Sequence, residues 1–375
     1  MRIAIINTLP IPSGVASVNR LLSYAKGMVE IGVEVSVLSS AYSDIAEGEL
    51  YGVKYHNFGK GVGVISLLSA LHKILKDVKI NKYDTVILVS NSLFLIYPVF
   101  LVCKSKGIKL IQEKSEFPFV LMKKGLLAKC WAWFYTSTTY KLFDGLIVMT
   151  KPLMDYFETK VRKNCKLIEI PMTVDLDRFS IKKAKDSAYG DYIAYCGNMA
   201  GNKDGVMNLI EAFDFASKKI KEVKLLLIGG ATVAEDLEKL KDYANGRGDG
   251  RIVFYGKADR EDIPQLLVNA KALALARPSS LQSTGGFPTK LGEYLATSNP
   301  VVVTAVGDIP RFLNEKNSFI VEPDNNEAFA NQIVKIFEDY KKAKEIGAQG
   351  RIVAEQNFNY RVQSPRIHEF LQELV

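Results

Sequence analysis

The run Gly285-Gly286-Phe287-Pro288-Thr289-Lys290-Leu291-Gly292-Glu293 collects the groups that one nucleoside diphosphate needs. Pro288 stands where a helix starts, and its missing N–H costs nothing in a first turn. The N–H groups of Thr289, Lys290 and Leu291 are then expected to lack helical partners and to point outward with the positive end of the helix dipole behind them. That geometry suits phosphate. Lys290 adds a full charge, and Glu293 lies one turn after Thr289 on the same face, where a carboxylate accepts from ribose hydroxyls.

A second segment, Tyr195-Cys196-Gly197-Asn198 running through Lys203 to Phe213, again reads as strand, glycine loop and helix. Lys203 is placed to reach the same phosphates from the opposite side of a cleft. A third, Pro10 to Leu22, puts Gly14 just before a helix start, where backbone N–H groups approach an anion or simply turn the chain. The glycines at 59–64 and 246–250 match no GxGxxG fingerprint and read as loops.

Composition narrows the classes. The chain has 375 residues, 48% of them apolar and 24% charged, which implies two domains, or three small ones, with proper cores rather than a disordered or disulfide-stapled chain. Four scattered cysteines form no CxxC pair, so neither a disulfide framework nor a zinc site is expected. Three isolated histidines leave little for imidazole chemistry. The net charge of +8 suits phosphate-rich ligands, an anionic membrane or a plain basic surface. Its cations are dispersed rather than interleaved with stacking aromatics, so nucleic acid is not an expected partner. The start MRIAIINTLP reads as a strand followed by a proline and is not expected to be a signal peptide. Residues 85–103 carry no formal charge, but the polar break at Ser90, Asn91 and Ser92 reads as a buried strand followed by an apolar helix, not a membrane span.

The elements that must position these residues alternate. RIAIIN, VEVSVLS, TVILVS, IKLIQE, DGLIVMT and KLIEIP are short apolar runs separated by segments of helical length, the pattern of a parallel sheet with crossover helices. VKYHNF is a further candidate strand. The polar stretch 171–191 reads as a linker. YIAYCG, KLLLIGG, RIVFYG, KALALA and PVVVT then repeat the alternation. The fold class is therefore α/β, with two Rossmann-like doubly wound domains. The amphipathic tail YRVQSPRIHEFLQELV, interrupted by Pro365, needs a surface to dock on.

The segments PSGVASVNR, PMTVDLDRF, GNMAGNKDGVMNLIEAF, YGKADREDIPQLLVNA and FPTKLGEYLATSNPVVVTAVGDIP, in this order and spacing, resemble a retaining GT-B glycosyltransferase of the family 4 type over almost the whole chain. The resemblance implies two domains facing a cleft, residues 1–178 with a returning helix at 359–375 for the acceptor, and residues 179–358 for the nucleotide-sugar. It implies Glu293 for the ribose; Thr289, Lys290 and Leu291 for the diphosphate; Lys203 for the charge developing on it; and Gly14 for the phosphate side. Gly197, Asn198, Gly285, Gly286, Phe287 and Pro288 complete the donor loops.

Three positions depart from that pattern. Gly285 stands where a glutamate is usual. Asn198 stands where arginine is common, which leaves Arg277 as a substitute phosphate clamp or as a brace for its loop. Glu113, beside Lys114 and Glu116, replaces a usual first-domain histidine and becomes the candidate for positioning acceptor or donor; Glu116 and Lys114 read equally as a plain loop pair. Asp175-Leu176-Asp177 spells a DxD but belongs to the inter-domain turn, so neither a catalytic metal nor another cofactor is expected.

Trp131 and Trp133, with Lys123, Lys124 and Lys129, read equally as an interfacial helix or as an apolar helix packed on the first sheet. The expected activity is transfer of a sugar, from a UDP-sugar in preference to a GDP-sugar, to a glycan or lipid-linked acceptor in surface polysaccharide synthesis. The expected location is the cytoplasm, with peripheral contact at an anionic membrane. A catalytically silent sugar-nucleotide-binding module and a sugar-nucleotide epimerase are the alternatives.

Overall fold

A computed structural model describes residues 1–118, 125–184, 188–201 and 203–375, and for 126–129 and 131 the backbone alone. The chain divides into two compact units, Met1–Thr173 with Tyr360–Val375, and Val174–Asn359.

The first unit begins β1 (Arg2–Asn7), α1 (Ala16–Glu30), β2 (Glu34–Tyr42), β3 (Glu47–Leu50), β4 (Val53–Gly59) and α2 (Val64–Ile80). It continues β5 (Thr85–Val89), α3 (Leu93–Lys106), β6 (Lys109–Lys114), α4 (Leu126–Thr138), β7 (Gly145–Val148), α5 (Lys151–Glu158) and β8 (Lys166–Glu169). Its sheet order is β3-β4-β2-β1-β5-β6-β7-β8, and every pairing is parallel except β3 with β4. Strands such as β1 are apolar on both faces because helices cover both, so Ile3, Ala4, Ile5 and Ile6 are all fully buried.

The second unit carries β9 (Tyr192–Asn198), α6 (Val206–Ser217), β10 (Lys224–Gly230), α7 (Ala234–Ala244), β11 (Ile252–Gly256), α8 (Ile263–Asn269) and β12 (Ala272–Leu275). There follow α9 (Leu281–Gly285), α10 (Thr289–Ala296), β13 (Val301–Thr304), α11 (Ile309–Phe312), β14 (Phe319–Val321), α12 (Asn326–Glu338) and α13 (Tyr340–Val353). The sheet runs β11-β10-β9-β12-β13-β14, all parallel. The order reverses between β9 and β12, which opens a crevice at their carboxyl ends.

The tail forms α14 (Tyr360–Gln372), which runs unbroken through Pro365 and packs on α1 in the first unit. Ser364 Oγ donates to the Tyr24 carbonyl at 3.0 Å, and Tyr360 Oη to Glu30 at 2.7 Å. Gly27 makes this approach fit, since a Cβ there would lie 2.3 Å from Ser364 Oγ. The stretch 171–191 is not a free linker throughout: residues 176–179 form a turn that meets α8 and α10 of the second unit.

Candidate functional site

The second unit gathers its polar residues at the β9/β12 crevice, and α10 is the element that aims them. Leu291, Tyr294 and Leu295 recur at helical spacing and are buried, so the opposite face carries Lys290 and Glu293 toward the crevice. Tyr294 fixes the helix against β9: its hydroxyl accepts from the Cys196 N–H at 2.7 Å and lies 3.3 Å from the Cys196 carbonyl. Pro288 is the N-cap, with extended backbone, rather than the first helical residue. The N–H groups of Thr289 and Lys290 have no acceptor among the described residues, as a helix start leaves them. Leu291 corrects the expectation for its own N–H, which donates to the Pro288 carbonyl at 3.0 Å in a tightened first turn.

Lys290 does not project freely. Its ammonium is held by Asp204, donates to Tyr195 Oη at 3.2 Å and sits 4.9 Å from the Tyr195 ring centre. Gly197 leaves room for it: a Cβ at that position would lie 2.4 Å from Lys290 Nζ and displace the ammonium. Asp204 also faces Arg277 Nε at 3.6 Å. Burial works to raise the Asp204 carboxyl, but Lys290, Arg277 and Lys203 together hold it below the ordinary carboxylate range. Lys290, Arg277 and Lys203 around Asp204, with Arg178 and Arg260 around Glu293, set five cations against two carboxylates and leave the crevice positive, which favours an anion.

Of the two readings of Arg277, phosphate clamp or loop brace, its contacts fit the brace. Its side chain is 1% exposed, and the guanidinium reaches the Lys203 carbonyl at 3.3 Å and the Gly286 carbonyl at 3.4 Å, so it braces two loops against each other. Lys203 itself is exposed, on the loop between β9 and α6. Asn198 closes the turn after β9: its Oδ1 accepts from Ala200 N at 2.9 Å and its Nδ2 donates to Thr232 at 3.1 Å. Gly285 ends α9 and is buried, while Phe287 packs edge-on to Phe312 at 5.7 Å.

Glu293 is partly buried beside Arg178, with Nη1 to Oε1 at 3.4 Å. Burial raises its pKa, against the opposing pull of Arg178, Arg260 and Lys290. Arg178 is in turn fixed by the Arg260 carbonyl at 2.8 Å. Asp204, Tyr195 and Arg178 are therefore site residues that sequence reading passed over. Their partners lie 86, 95 and 115 positions away, so although all three stood in segments already singled out, no local spacing marked them. Asp175 Oδ1 accepts from the Asp177 N–H at 3.3 Å, so the DxD spelling caps a turn. Among the described residues no cluster of metal-ligating side chains forms.

In the first unit, Gly14 lies on the exposed loop between β1 and α1, and a Cβ there would meet nothing within 4 Å. Glu113 is a second correction. Its carboxylate is buried in an ion pair with Arg20 Nε at 3.1 Å, and Arg20 also donates to the carbonyls of Pro171 and Ile170. It ties α1 to the end of the sheet and is spent there. Lys114 ends β6 inside the unit, held by Asn91 Oδ1 and flanked by the rings of Tyr135 and Tyr140, so it is no loop residue. At the carboxyl edge of this sheet opens a cavity of about 540 Å³, lined by residues including Thr8, Ser40, Tyr42, Val62, Leu67 and Ser92.

Lys123, Lys124 and the side chains of Lys129 and Trp131 lie outside the described residues, whereas Trp133 is exposed on α4. No described helix is long and apolar enough to cross a membrane. Residues 85–103 instead form β5, a turn and α3.

Residues 190–339 match the family described as glycosyl transferases group 1. An uncharacterized glycosyltransferase of Methanocaldococcus jannaschii is 23% identical over 293 residues, 74% of this chain and 71% of the relative. The GDP-mannose-dependent alpha-(1-6)-phosphatidylinositol monomannoside mannosyltransferase of Mycolicibacterium smegmatis is 24% identical over 241 residues, 61% of this chain and 62% of that protein. Among solved structures, Anabaena Alr3699/HepE in complex with UDP and glucose aligns with a TM-score of 0.75 at 17% identity, over 100% of both chains.

Proposed function

The chain is a glycosyltransferase of the GT-B fold with a group 1 domain over residues 190–339, and from that premise we propose that it is a retaining, family 4 type enzyme. It moves a hexosyl group from a nucleotide-sugar to a glycan or lipid-linked acceptor in surface polysaccharide synthesis. A UDP-sugar is the preferred donor, as the Anabaena complex holds UDP and glucose; the GDP-mannose-dependent relative keeps GDP-sugars as the second choice. It works in the cytoplasm, where four free thiols persist, with peripheral contact at the membrane.

One observation carries this reading: α10 presents Thr289 and Lys290 N–H groups, the Lys290 ammonium and the Glu293 carboxylate along one face of a positive crevice. Glu293, released from or sharing Arg178, accepts from ribose hydroxyls. The helix start and Lys290 take the diphosphate, and Lys203 swings in from its exposed loop. The bond between the anomeric carbon and the diphosphate oxygen breaks as the acceptor hydroxyl attacks on the same face, and the hydroxyl proton passes to the departing diphosphate oxygen. The charge left on the diphosphate is stabilised by these cations and the helix end rather than by a metal ion. Asp204 gives up part of its hold on Lys290 when the more highly charged diphosphate arrives.

Lys290→Ala should lower donor turnover by about a hundredfold or more, the scale of losing one preorganised charge-stabilising contact, and Glu293→Ala should lower it through weaker donor binding as the ribose contact is lost, both with circular dichroism unchanged. Turnover at the wild-type rate in both variants overturns the assignment. Gly285, in place of a usual glutamate, favours a second reading as a silent binding module. Steady release of nucleoside diphosphate from a panel of UDP- and GDP-sugars supports the transferase; tight binding without release supports the module.

A further inference from the structure

Asp204 has the surroundings of a bound phosphate. It stands immediately before Gly205, the N-cap of α6, where the positive end of the helix dipole favours an anion. Lys290 holds its Oδ2, Arg277 Nε lies 3.6 Å from its Oδ1, and Tyr195 Oη lies 3.2 Å from its Oδ2. Lys203, the preceding residue, adds to the positive field. The side chain of Asp204 is 10% exposed, and these cations keep it ionised.

Lys290, Lys203 and the start of α10 are also the groups proposed to take the diphosphate, so a carboxylate and a ligand compete for the same cations. Asp204 and Tyr195 engage two of the N–H donors of Lys290. A diphosphate that reaches α10 must draw the ammonium away from Asp204 or bind close to a like charge, and either weakens its binding. The lysine stem is flexible enough to turn, whereas Arg277 stays on the carbonyls of Lys203 and Gly286. The carboxylate is not what joins these elements. Tyr294 Oη ties α10 to β9 at the Cys196 N–H, and Tyr195 Oη ties β9 to its own loop by donating to the Asn198 carbonyl at 2.8 Å.

We propose that Asp204 is the internal counter-ion of the phosphate site: it competes with the diphosphate for Lys290, weakens diphosphate binding and speeds release of the nucleoside diphosphate product. The inference deepens the proposed function and rests on the reading of α10 as the diphosphate site. Interactions that stabilise the departing diphosphate also hold the product, which keeps both phosphates and gains an ionisable oxygen, and product release limits turnover in many enzymes. Asp204 lies where it recaptures Lys290 as the product leaves. The sign of its effect separates it from a residue that merely supports Lys290. Loss of a support weakens diphosphate binding, whereas loss of a like charge beside the ligand strengthens it.

Calorimetric titration and stopped-flow displacement on the full chain, with UDP, GDP and their nucleosides uridine and guanosine, test this. Asp204→Asn keeps the shape and removes the charge. It should tighten binding of whichever diphosphate binds wild type by about tenfold or more, mainly through a slower off-rate, the scale of removing one like charge beside a ligand in a partly buried site. The matching nucleoside, which carries no phosphate, should bind both proteins alike. Asp204→Ser removes the charge with less bulk and should act in the same direction, which covers a failure of the amide to pack. Both neutral variants should melt lower without ligand, as Lys290 and Arg277 lose a charge partner, and the diphosphate should raise their melting temperature by more than it does in wild type. Weaker diphosphate binding in both neutral variants, with nucleoside binding intact, would make Asp204 a support for Lys290 and overturn the proposal. Equal tightening of the nucleoside would overturn it as well, since the effect would then not act on phosphate. No diphosphate binding by wild type would instead overturn the reading of α10, and this inference with it.

Discussion

Lys114 is a buried cation whose recorded hydrogen-bond partner is the neutral Asn91, and burial pushes its pKa down to about 7 against the opposing pull of Glu113. The unfolded chain holds that proton to an ordinary lysine value of about 10.4. Between about pH 7 and pH 10.4 the unfolded state binds more protons at this position, so its contribution to stability rises with pH and is least below pH 7. Lys114→Met keeps the volume and removes the charge. It should raise the melting temperature at pH 6 and flatten its rise toward pH 9, and parallel thermal melts of both proteins would show this. The reverse, a variant less stable at pH 6 with an unchanged slope, would mean that the ammonium is favourable where it sits. Sequence showed Lys114 only as a charge beside Glu113. Its burial, like the pairing of Glu113 with Arg20 93 positions away, follows from tertiary contacts that no local spacing encodes. Lys290 and Glu293 were legible for the opposite reason: three residues apart on a helix, they share a face whatever surrounds it.

At the scale of elements, the start of α6 shows how the proposed donor loop is held. Gly205 is its N-cap with φ +66°, and a Cβ there would lie 1.8 Å from the Ala276 carbonyl oxygen at the end of β12. Backbone cannot yield as a side chain does. Gly205→Ala should cost about 1–2 kcal/mol for the left-handed conformation alone, with the clash in addition, and it should carry Lys203 and Asp204 out of register. Urea unfolding read beside nucleoside diphosphate affinity would show both losses. Gly14→Ala, where the Cβ meets open space, should leave stability within about 0.5 kcal/mol. The long apolar strands and their helices were readable because a parallel sheet covered on both faces writes continuous Val, Ile and Leu runs. The edge strands β3 and β14 were not. EGEL is polar and exposed, and FIV is three residues long, too short for any period to register.

On the scale of the whole molecule, two units with separate cores follow from the restart of the strand and helix alternation, and each sheet keeps the order of a doubly wound fold about its first strand. The exact point of division was less legible: residues 174–178 read as turn, yet Arg178 pairs with Glu293 and belongs with the second core. The proposed donor-binding groups Thr289, Lys290, Glu293 and Lys203 all lie in that second unit, so a nucleoside diphosphate should stabilise it first. At a ligand concentration a hundred times Kd the stabilisation is about 2.7 kcal/mol. For a unit of this size that corresponds to about 5–10 °C. Calorimetry with UDP, and separately with GDP, should therefore move one unfolding transition upward, and Glu293→Ala should remove the shift without lowering the ligand-free midpoint by more than a few degrees. A shift that survives Glu293→Ala would place the nucleotide away from α10. A shift with GDP alone would reverse the donor preference while leaving the site where α10 puts it.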